Sequence, residues 1–503
     1  MTRTLLTFFV LTGITPAFFA CSKTEVHSTK AQPPEQQAAI TSDLHPKSAP
    51  GTAPPSNTQT SQPIVASKCR TDPDHQLAPL DIRHAGGPKA AQMIRNNCQD
   101  ASGTVIATAA VLIHPEVQSA FGALDCWPRE LKVDRWTATL ADWPGEKSLR
   151  SLELRHLTND TAIHITRLNK LNKLSMDNTN LGNDGLVHLQ HLKELQSLEL
   201  VRCKITDEGL AHLAPLTNLT ELDFTYATIT GTGFAHLQNL PNLKRLNIRL
   251  SEVTDEGIRQ MSALKNLEEI WIEEMPITDT GIAHLARLTA LQNVYIRSTE
   301  MTDTGLAHLS KLTQLKKLRL VNNKGITGSG LANFQSHSTL KRLDLGSTST
   351  TSDALTHIKN FTALEELNLG GTKIDDSGLA HLTKLKRLEQ LHLGWTAVTD
   401  AGLAHLVNFS NLTTLSLSYN KISGTGFAHL HQLRTLEKLR LEKTTIVGDG
   451  LKNLQGVQSL RELSLGEMAI TDDHLSQLAT LTQLTSLSLF GTKIKGHGMV
   501  HLK

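Results

Sequence analysis

Leucine recurs along most of this chain with a period longer than a helical turn or a strand repeat. Aligned copies of the phrase LxxLxLxxTxITDxGLAHLxxLxx begin at Leu171, Leu195, Leu219, Leu243, Leu267, Leu291, Leu315, Leu340, Leu364, Leu388, Leu412, Leu436, Leu460 and Leu484. Every spacing is 24 residues except one of 25, between Leu315 and Leu340, and a degenerate copy starts at Leu149. Within a copy, leucine or another aliphatic at positions four and six, flanked by polar residues, alternates as a strand does. Position nine is Thr in seven of fourteen copies, with Cys203, Asn323 and Asn420 among the others. A small inward polar group there can satisfy the backbone as the chain leaves the strand. Position eleven is Ile or similar and is expected to be buried. Thr and Asp at twelve and thirteen, as in Thr206-Asp207, read as a helix N-cap and a first-turn acid. Gly at fifteen, in twelve of fourteen copies, predicts close packing where a Cβ would clash. Apolar positions sixteen, nineteen and twenty-two supply the inward stripe of a short helix.

One copy buries too little apolar surface to offset the entropy of ordering its backbone, so the copies must stack. The predicted fold is an α/β solenoid, with a parallel sheet on the concave face and short helices on the convex face. The phrase resembles the leucine-rich repeat family over residues 149–503, about 15 coils, and the ITDxGL segment is most similar to its bacterial and cysteine-containing 24-residue subtypes. The resemblance implies a horseshoe that binds a ligand on its inner wall. Only Cys203 matches the cysteine expected at position nine in the cysteine-containing subtype.

Positions three, five, seven and eight are expected to face the concave side, where the framework leaves residue choice free. All three tyrosines lie there, Tyr226 and Tyr419 at eight and Tyr295 at five, together with Trp271 at five, Trp395 at eight and Phe490 at seven. Tyr and Trp are over-represented at binding hot spots. One candidate patch comprises Tyr226, Arg249, Trp271, Glu273, Tyr295, Arg297 and Arg319. The alternation Arg249, Glu273, Arg297 along position seven is compatible with cross-strand ion pairing and equally with a ligand role. The second patch sets Gly346, Gly370 and Gly394 beside Trp395 and Tyr419, a floor that suits a protein loop or a glycan ring and equally a smooth, unused stretch.

Composition narrows the function. The chain has 503 residues with 50 Lys+Arg against 48 Asp+Glu and 4% aromatics. That balance argues against nucleic-acid binding, which favours a basic excess and stacking platforms. Ten of fourteen copies carry His at position eighteen, and Gln260, Asn333, Asn453 and Gln477 replace it in the others. Amides share hydrogen bonding with His but bind transition metals poorly, so the row is read as a hydrogen-bond ladder and no metal is expected. Gly-x-Gly pairs such as Gly231/Gly233 fall at framework positions and lack the third glycine of a dinucleotide loop. No cofactor and no catalytic residue is expected.

Residues 1–20 read as a signal peptide, with Arg3 at its start and an apolar stretch too short for a stable span. Ala20 and Cys21 resemble a bacterial lipoprotein processing site, with Phe18 where that family prefers Leu; the resemblance implies that Cys21 carries a lipid and that Ser22 permits outer-membrane sorting. Residues 22–68 are rich in Pro, Ser, Thr and Gln and read as a disordered tether with a reach of roughly 35–40 Å. Residues 69–148 read as an N-terminal cap, with Trp127, Trp136 and Trp143 packed near the first coil. An exported chain permits a disulfide among Cys69, Cys98 and Cys126, with Cys69–Cys98 slightly preferred and Cys203 buried and free. The function expected is an exported, non-catalytic binding module held at the cell envelope through Cys21, which recognises a protein or a glycan. The alternative is a secreted effector, or an enzyme whose 69–148 segment acts while the repeats select substrate.

Overall fold

The computed structural model describes residues 80–97, 104–107, 112, 115–123, 127–135, 143–446 and 448–502. The expected signal peptide, Cys21, the 22–68 tether, Cys69, Cys98, Cys126 and Trp136 lie outside the described residues.

Eighteen strands form one parallel sheet in chain order, from Leu80–Asp81 to Ser486–Ser488. The sheet is open, and each end strand has a single neighbour. Position four pairs with position four throughout the regular copies, as in Leu174 with Leu198, Leu222 with Leu246 and Val294 with Leu318. This register follows from the repeat itself: a slip by one residue would turn every leucine of a strand outward. Leu174, Leu198, Leu222, Leu246 and Leu318 are all fully buried. The strands at Leu80–Asp81, Thr104–Ala107 and Glu130–Arg135 continue the same sheet, so residues before 149 add to the stack. Phe121, Trp127 and Trp143 pack together there, with ring centroids 5.6 and 5.7 Å apart.

The return segments are helices of about one to three turns, many of them of the tighter three-residue kind, such as Asp207–Leu213 and Asp400–Asn408. Position nine behaves as its chemistry predicts. The hydroxyls of Thr348, Thr444 and Thr492 donate to the position-six carbonyls of Leu345, Leu441 and Leu489. Asn323 donates to the Ile296 and Leu320 carbonyls and accepts from Thr299 of the coil before it. Cys203 is buried and free, its Sγ 3.1 Å from the Thr179 hydroxyl, and burial pushes its thiol up to about 11.

The acid at position thirteen does something other than cap its own helix. Asp207 sits in the first turn of its segment, yet its carboxylate accepts from the backbone N–H groups of Thr230, Gly231 and Gly233 in the next coil, at 2.8, 2.9 and 2.7 Å. Asp303 repeats the pattern on Thr327, Gly328 and Gly330, and Asp400 on Ser423, Gly424 and Gly426. Each carboxylate thus satisfies the orphan amides of the neighbouring helix start and ties coil to coil. Gly at fifteen is where that tie is closest. A Cβ on Gly233 would lie 2.3 Å from the Asp207 carbonyl oxygen, and one on Gly426 would lie 2.4 Å from that of Asp400.

Candidate functional site

Side chains at positions three, five and seven alternate outward along each strand; in Glu269–Glu273, Ile270 and Ile272 are buried while Glu269, Trp271 and Glu273 emerge. Position eight is different. It adopts the left-handed backbone region in every regular coil, from Asn178 at φ 55° through Tyr226, Trp395 and Tyr419 at 60°, 59° and 63°, with Gly371 and Gly491 in the remaining two. The strand ends by reversing its twist there, which sends the position-eight side chain to the rim of the concave face. The sequence offered little warning, because bulky residues fill most of these sites although the region disfavours them.

Six of the seven residues of the first candidate patch come together. Arg249, Trp271, Glu273, Tyr295, Arg297 and Arg319 line a pocket of about 180 Å³. Trp271 and Tyr295 are direct cross-strand partners, and their rings stack at 5.2 Å and 9°. The Arg319 guanidinium lies 5.9 Å from the Tyr295 ring centroid, a cation–π placement. Burial, together with the charge of the neighbouring Glu269 carboxylate and the hydrogen bond to it, pushes the Tyr295 hydroxyl up to about 12. Glu273 bridges Arg297 and, at 3.9 Å, Arg249. Arg319 pairs with Asp344 at 3.1 Å. The charge alternation is therefore an ion-pair ladder in this structure, with its guanidinium groups still half exposed.

Tyr226 stands apart. It is half exposed at the rim, under the Arg202 guanidinium, and does not line the pocket. Trp395 and Tyr419 form a second stack, 4.1 Å between centroids and 12° between planes, with Lys443 5.4 Å from the Tyr419 ring. Phe490 is exposed.

The histidine row differs from its expected ladder. Among the described residues the position-eighteen imidazoles carry no hydrogen bond, and His284 Nδ1 is buried without a partner. Two of the amides that replace them do bond between coils: Asn453 donates to the Gly424 carbonyl and Gln477 to that of Gly448. No group of three His, Cys, Asp or Glu side chains among the described residues is placed to hold a metal ion.

An open parallel sheet with one short helical segment per 24-residue coil defines a leucine-rich repeat solenoid, whose inner wall offers a stacked aromatic pocket. Family comparison agrees: residues 234–429 match the family described as leucine-rich repeat region, and residues 188–214 match a leucine-rich repeat. Comparison with curated proteins finds no match. Among solved structures, a leucine-rich repeat protein from Leptospira interrogans is 20% identical, with 85% of this chain and 97% of that chain covered and a TM-score of 0.49. An internalin from Listeria monocytogenes is 20% identical over 69% of this chain and 88% of that one, with a TM-score of 0.42. The ectodomain of an Arabidopsis thaliana membrane receptor kinase, in complex with a Casparian strip integrity factor, is 17% identical, with coverages of 80% and 60% and a TM-score of 0.38.

Proposed function

We propose that the array is a non-catalytic recognition module that grips a polypeptide on its concave face, anchored on the Trp271–Tyr295 stack. The observation that carries this reading is the pocket itself, where two aromatic rings and four charged side chains from three adjacent strands and their flanking coils converge. Trp, Tyr and Arg are the residues that dominate binding energy at protein interfaces. The guanidinium groups of Arg249, Arg297 and Arg319 stay half exposed while their carboxylate partners Glu273 and Asp344 are largely covered, so each arginine can keep its partner and still donate outward to acidic side chains or carbonyls of a ligand. The Tyr295 hydroxyl is engaged with the Glu269 carboxylate, which fixes the ring for stacking. A rigid sheet presents these groups preorganised, which lowers the entropy lost on binding.

The test is capture of envelope polypeptides by chemical crosslinking to the intact chain. Trp271→Ala combined with Tyr295→Ala is expected to reduce capture by at least about thirtyfold, the usual loss for a central aromatic anchor, while the melting profile stays unchanged. Capture that survives the double substitution moves the site off this pocket. On the same reading the module is exported and held at the bacterial envelope by a lipid on Cys21, with residues 22–68 as its tether. Mass spectrometry of the mature N-terminus tests this second part: a diacylglyceryl-modified Cys21 supports it, and an unmodified first residue elsewhere overturns it.

A further inference from the structure

The second stack has a feature the first lacks. Along the rim, position eight reads Ser347, Gly371, Trp395, Tyr419, Lys443. One face of the Trp395 ring is covered by Tyr419. The coil on its other side ends in Gly370 and Gly371, which carry no side chains, and Gly371 has φ 70°. The indole, 63% exposed, therefore overlooks a notch one coil wide, floored by Gly370 and Gly394.

Further back along the same strands, the position-five residues of three adjacent strands are Asn368, His392 and Ser416, in direct cross-strand register. All three are half-buried. Asn368 Oδ1 accepts from the Gly370 N–H. Among the described residues its Nδ2, both His392 nitrogens and the Ser416 hydroxyl carry no hydrogen bond. Burial holds the His392 imidazole below its ordinary range, so at neutral pH it offers one donor and one acceptor. Charges around the notch are already paired: Arg319 with Asp344, Arg342 with Glu366 and Lys443 with Glu467. Arg440 is the exception: it forms no ion pair among the described residues and is the direct cross-strand partner of Ser416.

A flat apolar face above neutral, unsatisfied polar groups selects a ligand with the complementary two-sidedness. A pyranose ring has it: axial C–H groups on one face and equatorial hydroxyls around the edge. Phosphate, sulfate and uronate ligands would find only the single free guanidinium of Arg440 here, not a cation cluster. The distance from position eight to position five is roughly 10 Å by strand geometry, about two sugar rings. We propose that this notch is a glycan site for a neutral, β-linked oligosaccharide of gluco configuration. One ring stacks on Trp395 over Gly371, and the next hydrogen-bonds to Asn368, His392 and Ser416. It is separate from the Trp271–Tyr295 pocket, and either site stands without the other.

Isothermal titration of the intact chain with cellotriose and chitotriose tests this, with trigalacturonate as the charged comparison. Saturable binding of at least one neutral trisaccharide is expected. Trp395→Ala should weaken it by about tenfold to thirtyfold, the usual loss for an aromatic anchor, with an unchanged melting profile, whereas Trp395→Phe should retain most of it. The Trp271→Ala, Tyr295→Ala variant should bind the sugar as the parent does. Absence of saturable binding to both neutral sugars, binding that survives Trp395→Ala, or a preference for trigalacturonate overturns the proposal.

Discussion

His337 shows how one residue can depart from the repeat and leave a measurable trace. It occupies the position that Leu or Phe fills in neighbouring coils, within the single 25-residue copy. The ring is 1% exposed and lies 4.5 Å from Phe334. Its Nε2 donates to the Leu312 carbonyl at 3.2 Å, while Nδ1 has no partner. Burial lowers its pKa, so the folded chain holds it neutral. In the unfolded chain it titrates near about 6.5. Below that pH the unfolded state takes up a proton that the folded state refuses, so stability is complete above about 6.5 and declines as pH falls. His337→Leu is expected to raise stability at neutral pH by about 1 kcal/mol, since it removes an unpartnered buried nitrogen. The Leu312 carbonyl keeps the Leu315 N–H as donor. The same substitution should flatten the decline between pH 6.5 and 5. Chemical denaturation at several pH values checks both; an unaltered slope would mean that another group governs the acid limb.

At the scale of the element, the return segments are held less by their own helical bonds than by the coil before them. They are about one to three turns long, and isolated helices of that length do not persist in water. Asp400 illustrates what replaces intrinsic stability. Its carboxylate takes three backbone N–H groups of the next coil. Burial works to raise its pKa, but the amides of Gly426, Ser423 and Gly424 outweigh burial and the net shift is downward. This contribution is present above the unfolded carboxylate value of about 3.9 and is lost as pH falls through the lower folded value. Asp400→Ala is expected to cost about 2–3 kcal/mol by leaving amides without an acceptor. Asp400→Asn should cost less, because its carbonyl still accepts. Gly233→Ala brings the equivalent junction, against Asp207, under steric test, while Gly86→Ala, with nothing within 4 Å, serves as the control. If the two alanine substitutions at 233 and 86 melt alike, the close approach at position fifteen is not what holds the coils.

Across the whole array, each coil packs chiefly on its neighbours, so stability is close to a sum of local terms and interfaces. Leu318 lies in the middle of the sheet and is fully buried. Leu318→Ala is expected to cost about 2–5 kcal/mol. Hydrogen exchange should quicken most in the coils on either side of residue 318 and little near residue 150. A uniform loss of protection would indicate all-or-none unfolding instead.

Much of this was readable from leucine spacing alone. A 24-residue phrase that cannot bury itself has one economical solution, the stacked coil, and the same arithmetic placed Trp271, Glu273, Tyr295 and Arg297 on one wall. The roles of Asp207, Asp303 and Asp400 were not readable, because an acid in a helix's first turn looks the same whether it serves that helix or the next. Nor was the separation of Tyr226 from the pocket, since position eight turns left-handed and throws its side chain to the rim. The spacing of the leucines sets period, register and which residues face inward, because their burial admits no other phase. Which exposed groups satisfy one another and which remain free is settled by the folded stack, because those partners stand a full coil apart in the chain and a few ångströms apart in space.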